Sequence, residues 1–433
     1  MKKILIWVMV LALPVIANAQ EKAKEKAFGI KFSGFVKSDF FMDSRQTVAA
    51  REGHFLLWPK AESLDANGND INDGFNTNFL SLQSRLTGKI SGPDALGAKT
   101  SAVIEGDFFA QADNNINLFR LRHAFIKLNW TNTELLMGQY WNPLFVTDCF
   151  AGTVSFNTGS PIQPFARNPQ IRLTQKFGAF KILVAALEQR DYVSRGPAGN
   201  NSSYLRNSAI PDLHAQLHYG VKSDAFELIT GLAYAYKQIK PRMSSTVTDM
   251  LTGVDYVYKV NESLKSNSAL AFAKLKTDLV TIKIEAIYGE NLADALSISG
   301  FAMMDIANNA TGEQVYTPLR NRALWTDIQS NGKTWQVGCF AGVTENLGTK
   351  EEMKSESNPV WGLGTDITML YRIAPRIVFN AKKLRLALEA EYTSADIGSK
   401  YDYDGLVRDL HALPVETKTV ANTRLLFSAY YFF

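Results

Sequence analysis

The sequence predicts an all-β chain: one transmembrane antiparallel β-barrel of about sixteen strands, with short turns on one rim and long loops on the other. Three observations predict it. Apolar and polar residues alternate over segments of strand length. The links between those segments sort by parity into short and long. The chain closes on an alternating aromatic strand, RLLFSAYYFF.

The alternation carries the strands. In 80–90, Leu80, Leu82, Leu86 and Ile90 share one face, and Arg85, Thr87 and Lys89 the other. In 279–289, Val280, Ile282, Ile284, Ala286 and Tyr288 oppose Thr281, Lys283 and Glu285. In 384–393, Leu384, Leu386, Leu388, Ala390 and Tyr392 oppose Arg385, Glu389 and Glu391. A helix would group its apolar residues three and four apart. Followed along the chain, the two-residue period marks sixteen segments: 30–41, 78–90, 98–110, 117–130, 133–140, 168–177, 180–190, 212–220, 225–238, 264–274, 279–289, 320–329, 333–344, 364–379, 383–394 and 417–433. Fourteen or eighteen strands are the alternative counts. A barrel of this size is expected to hold water rather than packed side chains.

The links alternate after the first strand. Short ones carry turn residues, as in Gly92-Pro93-Asp94, Gly178-Ala179 and Asn331-Gly332. Long ones cover 42–77, 141–167, 191–211, 290–319, 345–363 and 395–416; only 111–116 is shorter than the rule expects. Short periplasmic turns and long external loops are the arrangement of an outer-membrane barrel.

Composition agrees. The chain has 433 residues, of which 46% are hydrophobic, so it is not a disordered sequence. Two cysteines exclude a disulfide scaffold. Residues 1-19 read as a secretory signal peptide: Lys2 and Lys3, an apolar stretch, then Ala17-Asn18-Ala19. Its removal leaves 20-433 as a single outer-membrane barrel domain. Without those two lysines, 46 basic groups become 44 against 42 acidic ones, a balance without the dense basic patch of a nucleic-acid binder. The longest tight apolar run beyond residue 20, 182–187, is far short of the roughly 20 residues of a spanning helix.

Several stretches carry a resemblance. They are IKFSGFVKSDFFMD at 30–43, VIEGDFF at 103–109, FRLRHAFIKL at 119–128, LLMGQYWNP at 135–143 and RNPQIRLTQKFG at 167–178. Together they resemble bacterial outer-membrane porins, both the general trimeric type and the type that passes dicarboxylate-like anions. The resemblance implies passive diffusion of small polar solutes, a homotrimer in outer-membrane lipid, and a third external loop, 141–167, folded into the pore. No cofactor, catalytic set or nucleic-acid partner follows from it.

Selectivity then rests on charges facing the lumen. Alternation turns Arg85, Lys89, Arg120, Arg122, Arg172, Lys283, Arg372 and Arg424 inward, with Glu105 and Asp107 beside them. Arg120 and Arg122 lie about 7 Å apart along one strand face. A row of guanidinium groups attracts carboxylates and holds them at two points. Glu105 and Asp107 oppose that field. The same strand places His123 and Lys127 on the opposite face from the arginines, where lipid is expected. Asp148 and Arg167 belong to the long loop with Pro143, Pro161 and Pro164, a length that marks functional loops.

Other candidates are weaker. His214 and His218 on a strand lie about 13 Å apart and line the wall rather than share a metal. Asp65-x-Asn67-x-Asn69 resembles the start of a calcium loop, but Asp70 occupies the glycine position. Cys149 and Cys339 are the only pair available for a disulfide. An outer-membrane barrel enzyme, and a structural or adhesion barrel with a blocked pore, are the rival functional readings.

Overall fold

The structure, a computed structural model, describes residues 28–110 and 113–433, so the signal-peptide reading lies outside the described residues. Sixteen strands form the wall: β1 Gly29–Asp43, β2 in two pieces (Asn76–Leu80 and Arg85–Ser91), β3 Lys99–Asp107, β4 Arg120–Asn129, β5 Thr133–Trp141, β6 Arg167–Phe177, β7 Phe180–Leu187, β8 Asp212–Lys222, β9 Phe226–Ile239, β10 Leu264–Thr277, β11 Val280–Glu290, β12 Glu313–Ser330, β13 Trp335–Thr349, β14 Ile367–Ala381, β15 Leu384–Gly398 and β16 Thr417–Phe432. Each is antiparallel to the next, and β1 pairs with β16 from Phe35↔Phe432 to Asp43↔Arg424. That closure leaves no free edge. Every predicted segment holds a strand. Seven short turns occupy one rim, and the long links return at the other.

The outer wall is apolar because the two-residue period sends one parity outward. On β16, Leu425, Phe427 and Tyr431 are exposed, whereas Arg424, Leu426 and Ser428 are buried inside. Two aromatic rows border the apolar band. Phe177, Phe180, Tyr219, Phe226, Trp335 and Tyr431 lie near the short-turn rim. Tyr234, Tyr288, Tyr371 and Tyr392 face outward about ten residues further along their strands. With strands tilted about 40°, ten residues rise roughly 25 Å, the height of a lipid-facing band.

The conflict over His123 and Lys127 is resolved by a bulge. Pairing of β3 with β4 runs Glu105↔His123 and then jumps to Gly106↔Leu121, leaving Arg122 as the extra residue. One inserted residue flips the parity beyond it. Arg120, Arg122, His123 and Phe125 are therefore all buried on the lumen side, while Leu121 and Ile126 are exposed outside.

The expectation of a lumen filled simply with water is corrected. The hairpin of Thr47–Ala50 and Phe55–Pro59, the loop 142–166 and the turn around Leu292–Ile298 all fold inward. Their Phe55, Trp58, Phe145, Phe156, Ile162, Phe165 and Leu296 share one apolar cluster with wall residues such as Trp325, Phe340 and Leu370. Long loops with apolar side chains have more surface to bury inside the barrel than above its rim.

Candidate functional site

The loop 142–166, here called L3, leaves β5 and crosses the barrel to the far wall. It is fastened at several points. Glu389 on β15 accepts the Val154 and Ser155 backbone N–H groups at 2.7 and 2.8 Å. The Asn157 amide donates to Glu391 at 2.8 Å, and Arg372 donates to the Ser160 carbonyl at 2.6 Å. Lys37 donates to the Val154 carbonyl at 3.1 Å and Lys283 to the Phe150 carbonyl at 2.9 Å. Near its start, Asp148 pairs with Lys181 at 2.5 Å and faces His218 Nδ1 at 3.4 Å. Hydrogen bonding from His218, then from Lys181, holds the Asp148 carboxyl well below the usual carboxylate range.

Against L3 lies the charged cluster of β2 to β4. Arg120 Nε donates to Asp107 at 2.9 Å. Arg122 donates to Glu105 at 3.0 Å and to Asp107 at 2.8 Å. Arg85 stands 3.7 Å from Glu105 and 3.9 Å from Asp107. Arg167 pairs with Asp191 at 2.6 Å, and Arg120 stands 3.7 Å from the same carboxylate. Burial alone would raise the Asp191 carboxyl, but Arg167 and Arg120 outweigh it and hold it low. Trp141 stacks on Phe145 at 4.1 Å and backs the guanidinium groups of Arg167 and Arg122 at 5.1 and 5.9 Å.

Four arginines (Arg85, Arg120, Arg122 and Arg167) thus share three carboxylates, leaving one positive charge in excess. Arg120 and Arg122 are each under a tenth exposed. They are a paired network rather than a free row of cations.

Below L3, toward the short turns, opens a cavity of about 690 Å³. Its charged lining residues are Arg85, Arg122, Lys283, Arg376 and Arg385, with no carboxylate among them. Arg376 is held by Asp327 at 2.8 Å. Beside it, under the first limb of L3, a smaller well of about 320 Å³ is lined by Lys127, Arg172, Lys176, Lys181 and His218 together with Glu134 and Asp148.

The predicted residues therefore fall into three places. Arg85 and Arg122 line the main cavity, and Glu105 and Asp107 pair with them from outside its lining. Arg120 and Arg167 lie behind it with Asp191. Arg172 and Asp148 belong to the side well, where Arg172 donates to the Trp141 carbonyl at 2.6 Å. Alternation places Arg385 and the L3 clamps Glu389 and Glu391 on one polar strand face but gives them no role, and Arg376 has the same readable inward parity. Asp191 gave no signal, because loop residues have no period to read.

The weaker candidates settle as wall and loop chemistry. His214 and His218 both face inward and are buried. Asp70 pairs with Arg45 at 2.6 Å, and Asp65 accepts the Asn67 and Asn69 N–H groups, so both brace the first loop. Among the described residues no group of three or more metal-ligating side chains gathers. Cys149 and Cys339 are both free: one lies inside with L3, and the other sits on the outward parity of β13.

No family model matches the chain, and no curated protein matches it. Solved structures do. The outer membrane channel DcaP of Acinetobacter baumannii aligns with a TM-score of 0.66 at 16% identity, covering 96% of this chain and 100% of that one. An anion-selective porin from Comamonas acidovorans aligns with a TM-score of 0.51 at 10% identity, covering 94% and 100%. OmpT, an outer membrane protein of Vibrio cholerae, aligns with 0.52 at 10%, covering 95% and 99%. At these identities the likeness is one of fold: the chain is a closed sixteen-stranded antiparallel barrel of the porin type.

Proposed function

We propose that the protein is an outer-membrane channel for passive diffusion of small polar solutes, favouring anions such as carboxylates. One observation carries the preference: the charged residues lining the cavity beneath L3 are all basic. Fixed charge of one sign in a narrow, water-filled space raises the local concentration of the opposite ion. Arg85 and Arg385 are the groups best placed to meet a carboxylate, since Arg122 and Arg376 already hold buried carboxylates. L3 and its clamps set the resistance. Outer-membrane placement is supported by the two aromatic rows, and the barrel reads as one domain in that membrane.

The enzyme reading finds little support. Where a serine, a histidine and an aspartate do meet, Ser428 and His54 both bind the Asp39 carboxylate instead of each other. A nucleophile needs its hydroxyl on the imidazole. A homotrimer is the assembly we favour. Exposed aromatic pairs Phe40–Phe79 and Phe108–Phe119 stand on the outer wall of β1 to β4, a patch suited to contact between copies.

Liposome swelling tests the reading. Vesicles carrying the protein should swell faster in a small carboxylate than in a neutral solute of equal size, and both faster than empty vesicles. No swelling beyond empty vesicles would favour the blocked-barrel reading.

A further inference from the structure

The outer wall holds a furrow that the channel reading does not use. It lies on β9 to β13, has a volume of about 660 Å³, and continues toward the short turns into a second hollow of about 440 Å³. Its floor is Ala269, Ala271 and Ala286, and its sides are Leu232, Leu324 and Val343. Short alanines between longer neighbours make the trough.

Its upper end carries charge. Arg322 and Glu345 are cross-strand partners on the outward parity of β12 and β13. Arg322 Nε donates to Glu345 at 2.6 Å, and its Nη2 stands at the same distance. At and below the level of Tyr234, Tyr288 and Tyr392, the outward positions of the sixteen strands carry no other charged residue among the described residues. A charge on a lipid-facing wall is costly and calls for a reason. Arg322 lies nine residues above the turn at Asn331. That is roughly 23 Å up the wall, at the border of the band nearest the long loops.

We infer that this furrow is a lipid site: it seats an acyl chain of a lipid from the leaflet on the long-loop side whose phosphate headgroup carries a net negative charge, with no cation of its own to compete for the phosphate, and that headgroup takes hydrogen bonds from Arg322. Glu345 occupies two of the five guanidinium donors and fixes the fork. The side chain is 63% exposed, so its other donors face the headgroup layer. A guanidinium and a phosphate oxygen form charge-assisted hydrogen bonds. Contact with a second copy is the less fitting use. The aromatic patch on β1 to β4 lies about eight strands away, halfway round the wall, and a trough with a polar end offers one chain a seat.

The inference rests on the barrel standing in a bilayer, and its test is independent of conduction. The full chain is purified in detergent, and native mass spectra are recorded with phosphatidylglycerol or phosphatidylcholine added. The native protein should retain about one phosphatidylglycerol per chain, in roughly tenfold preference to phosphatidylcholine. Arg322→Gln should lose the preference, and Ala271→Trp should lose retention of both lipids. Ala286→Leu fills the same trough with a smaller side chain if the tryptophan blocks folding. Equal retention by the native protein and the filled variants would overturn the site. So would a change in the number of copies per particle when the trough is filled, which would assign it to subunit contact.

Discussion

Replacing Arg120 and Arg122 together with Ala should turn the channel toward cations. In the native cluster four arginines face three carboxylates, so removing two arginines changes an excess of one positive charge into an excess of one negative. A unit charge about 7 Å from a permeating ion contributes about 0.6 kcal/mol at water-like permittivity, and about 0.25 kcal/mol after screening at physiological salt. Two charges give about 0.5 kcal/mol, close to RT. Anion occupancy then falls about twofold and cation occupancy rises about twofold, a shift of roughly fivefold in their ratio. The assay is the reversal potential in a planar bilayer under a tenfold salt gradient, where ideal selectivity gives about 59 mV. Folding needs a parallel check, because Asp107 is fully buried and would keep only Arg85 at 3.9 Å. Stripping partners from a buried charge costs about 3–5 kcal/mol. A control variant, Arg122→Gln with Glu105→Gln, removes a pair and leaves the net charge alone, so its reversal potential should match the native one. An unchanged potential in the double-arginine variant, or an equal shift in the control, would refute the charge-excess argument.

Three further outcomes follow from the same contacts. Glu389→Ala leaves the Val154 and Ser155 N–H groups without their carboxylate, a loss of about 3 kcal/mol; open-channel noise should rise and L3 should become sensitive to added protease. Asp148 is held below the usual carboxylate range, so its tie to Lys181 is present above that range and is lost only as the pH falls through the depressed value. The excess noise of Asp148→Asn over the native protein should therefore be as large at pH 4 as at pH 7. Deleting residues 430–433 removes three of the nine register pairs that join β1 to β16; the variant should run at its unfolded position on an unheated gel.

The wall was legible because the pleat writes itself into the sequence. Each of the sixteen predicted segments contains a strand, and the inward assignments of Arg85, Arg372 and Arg424 hold, since one wrong parity would place a charge in lipid. The reading failed where the period breaks. At Arg122 a single bulged residue reverses the faces, and nothing local announces it; the inward His123 and Lys127 were the trace it left. The site was legible in part. Parity gave the arginines but not their partners across strands, so Arg120 and Arg122 read as a free row when Asp107 holds both. The loops were harder still. The length and prolines of L3 suggested a constriction, yet the clamps at Glu389 and Glu391 lie more than 200 residues away in sequence. The inward fold of the first loop, with Phe55 and Trp58 buried, follows from apolar residues that no strand period could place.

The most direct measurement is a current recording of the native protein in a planar bilayer with a potassium chloride gradient. The barrel should give discrete open-channel steps and a reversal potential of the sign that marks chloride as the more permeant ion. A folded, inserted barrel that gives no steps, or one whose reversal potential has the potassium sign, would contradict it.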